Sequence, residues 1–288
     1  MKPSHIILLV IMMVAWGVTP TVGKFGVGQI PPIFFAALRA GVTMLVLLPF
    51  LRNPRGHWGV LFLLSLLMGT LHHTFFLTGL KHLDASHTII LAQMQFPFAA
   101  LLAVPFFGDY LGWRRMGGLA IAFGGIVLIA GEPKVQAEFL PAAFVLFAVF
   151  CWAAANIVIK RMRLTDGNMI NGWVAILMVP QTLAVSFFLE SGQIAALMAA
   201  DWKALAALVY MGGFITAITF ALWYRLLRRY TVNQVMPFTL LMPVFGVLAG
   251  VLVLNEALSW LTILGGLITI AGVAIIVIRR PMEIEAGV

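Results

Sequence analysis

Charge is what this sequence has least of. Only 10% of its 288 residues are Asp, Glu, Lys or Arg, while 62% are hydrophobic, and the mean hydropathy is +1.05; soluble domains carry roughly a quarter charged residues. So little charge cannot clothe a water-facing surface, which excludes a soluble fold and points to an integral membrane protein. Cysteine is nearly absent too. Cys151 stands alone, which excludes an internal disulfide, and its place in an apolar run makes it a packing residue. There is no GxxxxGK[ST] loop and no room between the apolar runs for a nucleotide-hydrolysing domain, so a self-contained ATP-driven pump is excluded. HExxH, GxSxG and paired aspartates are likewise missing from the apolar runs. The chain therefore reads as a non-enzyme that needs no cofactor and holds no metal.

A finer absence concerns the carboxylates. All ten Asp and Glu residues fall at the ends of apolar runs, in links or in the tail. An antiporter of cationic drugs wants a buried carboxylate to attract its substrate. Exchange of sugar phosphates or nucleotide sugars wants several cations in the site, and Arg39 is the only cation deep in a run. Both substrate classes fit poorly.

What is present is a series of apolar stretches long enough to cross a hydrocarbon core of ~30 Å. Ten spans are expected, at 4–23, 32–51, 58–80, 84–107, 113–131, 139–160, 168–189, 203–227, 231–254 and 259–279. Lys2 before the first run imitates a secretory signal, but nine further spans follow and no A-x-A cleavage site is evident, so this run is taken as the first helix. With the N-terminus cytoplasmic, thirteen Lys and Arg residues lie inside (Lys2, Arg52, Arg55, Arg114, Arg115, Lys160, Arg161, Arg163, Arg225, Arg228, Arg229, Arg279 and Arg280). Four lie outside, namely Lys24, Lys81, Lys134 and Lys203. This asymmetry places both termini in the cytoplasm and assigns the net charge of +8 to membrane orientation, with no nucleic-acid partner. Trp58, Trp113, Trp173, Trp202 and Trp260 fall near span ends, where an amphipathic ring favours the interface.

The sequence also repeats itself. AWGVTPTVGKFG at 15–26 and CWAAANIVIKRM at 151–162 each place a lysine eight residues after a tryptophan, so a shift of 136 aligns Trp16 with Trp152, Pro20 with Asn156 and Lys24 with Lys160. A shift of 147 aligns Asp109 with Glu256, Trp113 with Trp260, Gly118 with Gly265 and Gly125 with Gly272. Two halves follow, 1–131 and 138–280, with 281–288 as a cytoplasmic tail. Each half holds five spans, and an odd number inverts the second half relative to the first.

The runs VAWGVTPTVGK, IPPIFFAALRAG, LAQMQFPFAALLAVPFFGD, LLMPVFGVLAGVLVLNE and LGGLITIAGVAI resemble, in order and over essentially the whole chain, the EamA-type ten-helix exporters of the drug/metabolite transporter superfamily. Asp109 stands where the first-half motif more often has Glu, and the carboxylate is retained. The resemblance implies an all-α polytopic protein of two inverted five-helix repeats around a central cavity lined by spans one, three, four, six, eight and nine. It also implies export of amino acids or related metabolites, and placement in the bacterial inner membrane.

On those spans the chemically unusual residues are the candidate substrate contacts. Trp16 and Thr19 on span one, and Trp152 and Asn156 on span six, stand out, with the two tryptophans expected to meet at the pseudo-twofold centre. Aromatic rings near the membrane midplane have no interfacial reason to be there. His72 and His73 on span three, and Gln93 and Gln95 on span four, are costly to leave unpaired in hydrocarbon. The adjacent histidines point about 100° apart, a poor geometry for a shared metal. Thr216, Thr219 and Trp223 recur at steps of three and four, which makes one face of span eight, and Trp223 is the candidate among them. Pro20, Pro97 and Pro243 are candidate hinges. Arg39 is expected to snorkel outward or bond helix-end carbonyls, with attraction of a substrate carboxylate as the alternative. In the link HLDASH, His82, Asp84 and His87 lie close in sequence without forming an expected metal site. The glycines Gly117, Gly124 and Gly131 of span five, and Gly265 with Gly272 of span ten, share seven-residue spacing and are expected to pack closely on another helix, within the protomer or in a dimer.

Tryptophan and neutral polar groups suit a small zwitterion with an apolar or aromatic side chain. The expectation is an exporter of neutral amino acids or close metabolites in the lipid bilayer, with proton coupling left open. The alternatives are export of another small metabolite or drug, or a non-transporting membrane scaffold or lipid-handling protein.

Overall fold

Within hydrocarbon no water is available to pair backbone N–H and C=O groups, so an apolar run must satisfy them internally by winding into a helix. The computed structural model describes residues 1–54, 56–108, 111–162 and 167–278, with the backbone alone at 224, 227, 228, 232 and 233. Asp109, Arg55, Arg163, Arg279, Arg280 and the tail 281–288 lie outside the described residues. Among the described residues, ten helices are long and apolar enough to cross a membrane. They are α1 (Pro3–Val27), α2 (Pro32–Phe50), α3 (Trp58–His82), α4 (Ala85–Phe107), α5 (Trp113–Ala130), α6 (Phe139–Arg161), α7 (Gly167–Leu189), α8 (Trp202–Trp223), α9 (Met236–Leu254) and α10 (Trp260–Ile278). All ten expected spans are present, with ends displaced by a few residues.

Several helices depart from regular α winding. α3 is π-wound over Ser65–Leu71 and α8 over Val209–Thr219. α4 tightens at Gln93 and Met94, whose N–H groups bond the carbonyls of Ile90 and Leu91 three residues back, each at 3.0 Å. Pro97 lacks an N–H for the Gln93 carbonyl, and Phe96 N–H supplies one at 3.1 Å. α9 opens with a 3₁₀ turn, Met236–Leu240, shortly before Pro243. Pro20 causes no such break, and helical winding runs through it from Pro3 to Val27.

The tightest junction joins α5 to α10. The two helices are antiparallel, with Gly118 against Gly272 and Gly125 against Gly265. A β-carbon on Gly118 would stand 3.0 Å from the Gly272 carbonyl oxygen, and one on Gly265 only 2.7 Å from that of Gly125. Each glycine thus meets the repeat-equivalent of its partner's counterpart, the reciprocal pattern of a twofold contact. Gly265 and Gly272 pack as expected, but within the protomer their partners on α5 are Gly118 and Gly125, one residue from the expected stripe. A β-carbon on Gly117 or Gly124 would find nothing within 4 Å, and Gly131 is the cap that follows α5. Both stripes have the same seven-residue period, so spacing alone could not choose between them.

At the outer end, carboxylates close the starts of helices. Glu190 accepts the N–H groups of Ile33 and Phe34 at 2.8 and 2.9 Å at the start of α2. Glu256 accepts those of Ala85 and Ser86 at 2.6 and 2.9 Å, and the Ser86 hydroxyl at 2.5 Å, at the start of α4. First-turn N–H groups have no intrahelical acceptor and the helix dipole favours an anion there. The ring of His87 lies between Asp84, at 3.4 Å from Nδ1, and Glu132, at 2.9 Å from Nε2. Thr262 of α10 donates its hydroxyl to Glu132, and Lys134 reaches Asp84 at 2.5 Å. His82 is exposed and takes no part. The hydrogen bond from His87, with that from Lys134, holds Asp84 down to about 2; for Glu132, burial pushes upward but bonds from Thr262 and His87 outweigh it and leave it below its usual value.

Two outcomes are expected. Gly125→Ala lowers stability by about 1–3 kcal/mol through overpacking, while Gly124→Ala stays within about 0.5 kcal/mol, read by thermal unfolding in detergent. Because Asp84 is depressed, its stabilising contribution is complete above about pH 4 and is lost as pH falls toward about 2. Unfolding temperatures across that window should decline in the wild type and decline less in Asp84→Asn.

Candidate functional site

An aromatic cluster occupies the level where α1, α3, α6 and α8 approach. Trp16 of α1 lies 5.1 Å, centroid to centroid, from both Phe220 and Trp223. Its indole N–H donates to Thr219 Oγ1 at 2.6 Å, and that hydroxyl donates to the Ile215 carbonyl at 2.5 Å. From the other side Trp152 of α6 lies 5.9 Å from Phe220 and 5.0 Å from His72. The expected meeting of Trp16 and Trp152 is therefore corrected: Phe220 stands between them. Sequence reasoning missed Phe220, although its place three residues before Trp223 on α8 was a usable signal.

Beside the aromatic cluster lie the histidines. His72 Nδ1 bonds the Ala148 carbonyl and His73 Nδ1 bonds the Gly69 carbonyl, each at 2.9 Å. A carbonyl can only accept, so both rings carry their proton on Nδ1 when neutral, and each Nε2 is left with a lone pair. Their centroids are 4.8 Å apart in an edge arrangement, and His72 also stacks on Phe76.

Arg39 completes the polar side, against expectation. It neither snorkels nor caps a helix end. It is 8% exposed, and its Nη2 donates to Thr216 Oγ1 on α8 at 2.7 Å. Thr216 in turn donates to the Met211 carbonyl five residues back, a reach that the π winding provides. The same winding divides the threonine face expected on α8: Thr219 and Trp223 reach Trp16, whereas Thr216 turns to α2. α2, the helix of Arg39, packs directly against the part of α3 that opens with His72 and His73.

The remaining candidates are placed less centrally. Gln93 is fully buried; its amide donates to Ile89 O at 3.3 Å in its own helix and its Oε1 has no partner. Gln95 is half-buried. Thr19 donates to the Ala15 carbonyl at 3.0 Å, an acceptor shared with Tyr210 at 2.7 Å. Asn156 is exposed and donates to its own Trp152 carbonyl at 2.8 Å. Among the described residues no group of three or more His, Cys, Asp or Glu is placed to hold a metal ion.

A sequence model described as the EamA-like transporter family matches residues 3–131 and again residues 140–278. The chain belongs to the EamA-like transporter family. This transporter is 27% identical over 278 residues to a probable amino-acid metabolite efflux pump of Escherichia coli, with 93% of each chain covered. It is 25% identical to the protein of the same description in Salmonella typhimurium, again over 93% of each. An uncharacterized transporter of Bacillus subtilis, YoaV, is 25% identical over 90% of this chain and 91% of its own. A crystal structure sharing 17% sequence identity has the same fold, with a TM-score of 0.65 and coverage of 96% and 97%. Ten apolar helices in a member of this family make the protein an integral, multi-pass membrane transporter.

The Trp16–Thr219 bond carries a prediction about how the EamA-like transporter holds its aromatic cluster. Thr219→Val leaves the indole N–H without its acceptor and costs about 1–3 kcal/mol. Thermal unfolding should report that loss, and in the Trp16→Phe background the same substitution should cost distinctly less.

Proposed function

We propose that this transporter exports small neutral amino acids, aromatic and apolar ones included, or close amino-acid metabolites across the cytoplasmic membrane. The observation that carries this reading is the cluster of Trp16, Phe220, Trp223 and Trp152 beside two histidines whose Nε2 atoms are free to accept. Aromatic faces take up an apolar side chain and attract an ammonium group, and a neutral imidazole accepts its N–H. The names of the two enterobacterial relatives support the same substrate class. Transport runs by alternating access between residues 1–131 and 138–280, with the irregular windings ahead of Pro97 and Pro243 as points of flexure.

A panel of labelled amino acids in reconstituted vesicles tests the proposal. Wild type is expected to release leucine, phenylalanine or a related neutral amino acid faster than empty vesicles. Trp152→Ala should raise the apparent KM about tenfold, the equivalent of one lost aromatic contact of roughly 1.4 kcal/mol. Vesicles that move no member of the panel would overturn the reading.

A further inference from the structure

The structure holds an internal control for Arg39. In each half a peripheral helix is tied to the π-wound stretch of a helix from the other half. α7 is tied to α3 through Gln181, which accepts the Thr70 hydroxyl at 2.6 Å and donates to Ser65 Oγ at 2.9 Å. α2 is tied to α8 through Arg39 and Thr43, the latter donating to the Gly212 carbonyl at 2.8 Å. A neutral amide performs the structural task in one half with both its polar atoms bonded. The other half uses a cation, and the cation exceeds the task. A guanidinium has five N–H donors; one bond to Thr216 is made, Nε is buried without an acceptor, and no carboxylate among the described residues pairs with it. A buried unpaired donor costs about 1–3 kcal/mol, and more when charged, so a purely structural arginine here would be worse than the glutamine used in the equivalent place.

We infer that Arg39 is the carboxylate-binding residue of the transporter, taking the α-carboxylate of the substrate on the N–H groups that the protein leaves unspent. A single guanidinium matches one monoanion bidentately, whereas a phosphate dianion would leave charge uncompensated in hydrocarbon. The neighbouring histidines, with Nε2 as acceptor, then take the ammonium end, so that both charges of a zwitterion are met from one side of the aromatic cluster. The inference rests on the amino-acid export reading and adds a requirement to it: the substrate must carry a free carboxylate.

Calorimetric binding of L-leucine and of L-leucinamide to the detergent-solubilised full chain tests this, alongside leucine release from vesicles. Wild type is expected to bind leucine at least about tenfold more tightly than leucinamide, the scale of one charge-assisted contact. Arg39→Gln should close that gap by weakening leucine alone. Thr216→Val, which removes the tether and keeps the charge, should preserve the gap even where its unfolding temperature drops. Equal wild-type affinities for leucine and leucinamide would overturn the inference, as would an Arg39→Gln protein that keeps the preference; the wild-type comparison stands even where Arg39→Gln fails to fold. If wild type moves leucine without discriminating, only the role of Arg39 falls. If it neither binds nor moves any amino acid, the export reading falls, and the role of Arg39 with it.

Discussion

The absence of water inside the bilayer governs every polar group in this protein. Each N–H, hydroxyl and carboxylate in or near the apolar layer needs an acceptor or donor made of protein. Thr43, Thr182, Thr219 and Thr269 meet the requirement by turning on their own helices, each donating to the carbonyl four residues back, whereas the hydroxyls of Thr21, Thr74 and Thr78 are buried without a partner among the described residues. Carboxylates meet it at helix starts, where Glu190 and Glu256 of the second half each take two backbone N–H groups of the first. The outer ends of the halves are thereby stitched together by bonds that neither half could make alone, and the carboxylates are held out of the layer where the aromatic cluster sits.

Against that background the glycine junction of α5 and α10 and the aromatic cluster have complementary tasks. Carbonyl oxygens and α-carbons in near contact leave α5 and α10 little freedom to slide. The helices that carry Trp16, His72, Trp152 and Trp223 include the two with π winding and lie close to the two with interrupted ladders, so regularity is concentrated at the junction and irregularity around the site. That partition suits a transporter that must change the shape of its site while keeping its halves together.

Much of this was legible in the sequence because hydrophobicity and length are one-dimensional signals. Ten spans could be read from the apolar runs, and the two stretches suggested by Trp16 aligning with Trp152 are those over which the family match recurs. What could not be read depends on rotation about a helix axis. Gly118 and Gly125 pack where Gly117 and Gly124 face open space, yet the two stripes are one residue apart and equally periodic. Thr216 was expected beside Thr219 because α winding was assumed, and π winding turned it toward Arg39. Phe220 was overlooked as one more phenylalanine among 22, although its place three residues before Trp223 puts it toward the same face of α8. Arg39 was assigned to the periphery because its helix is peripheral, and its length carries its head inward all the same.

The π-wound stretches carry a consequence for how such proteins diverge. A π turn absorbs one residue more than an α turn holds, so deleting a single residue within 65–71 or 209–219 lets α winding return while the flanking turns keep nearly their bearing. What changes is the stretch itself: the reach of Thr216 to the Met211 carbonyl five residues back exists only in the wider winding, and with it the placement of the hydroxyl that meets Arg39. Contacts at one level of a helix can therefore be rewritten by chain length alone, with the side chains above and below left where they were.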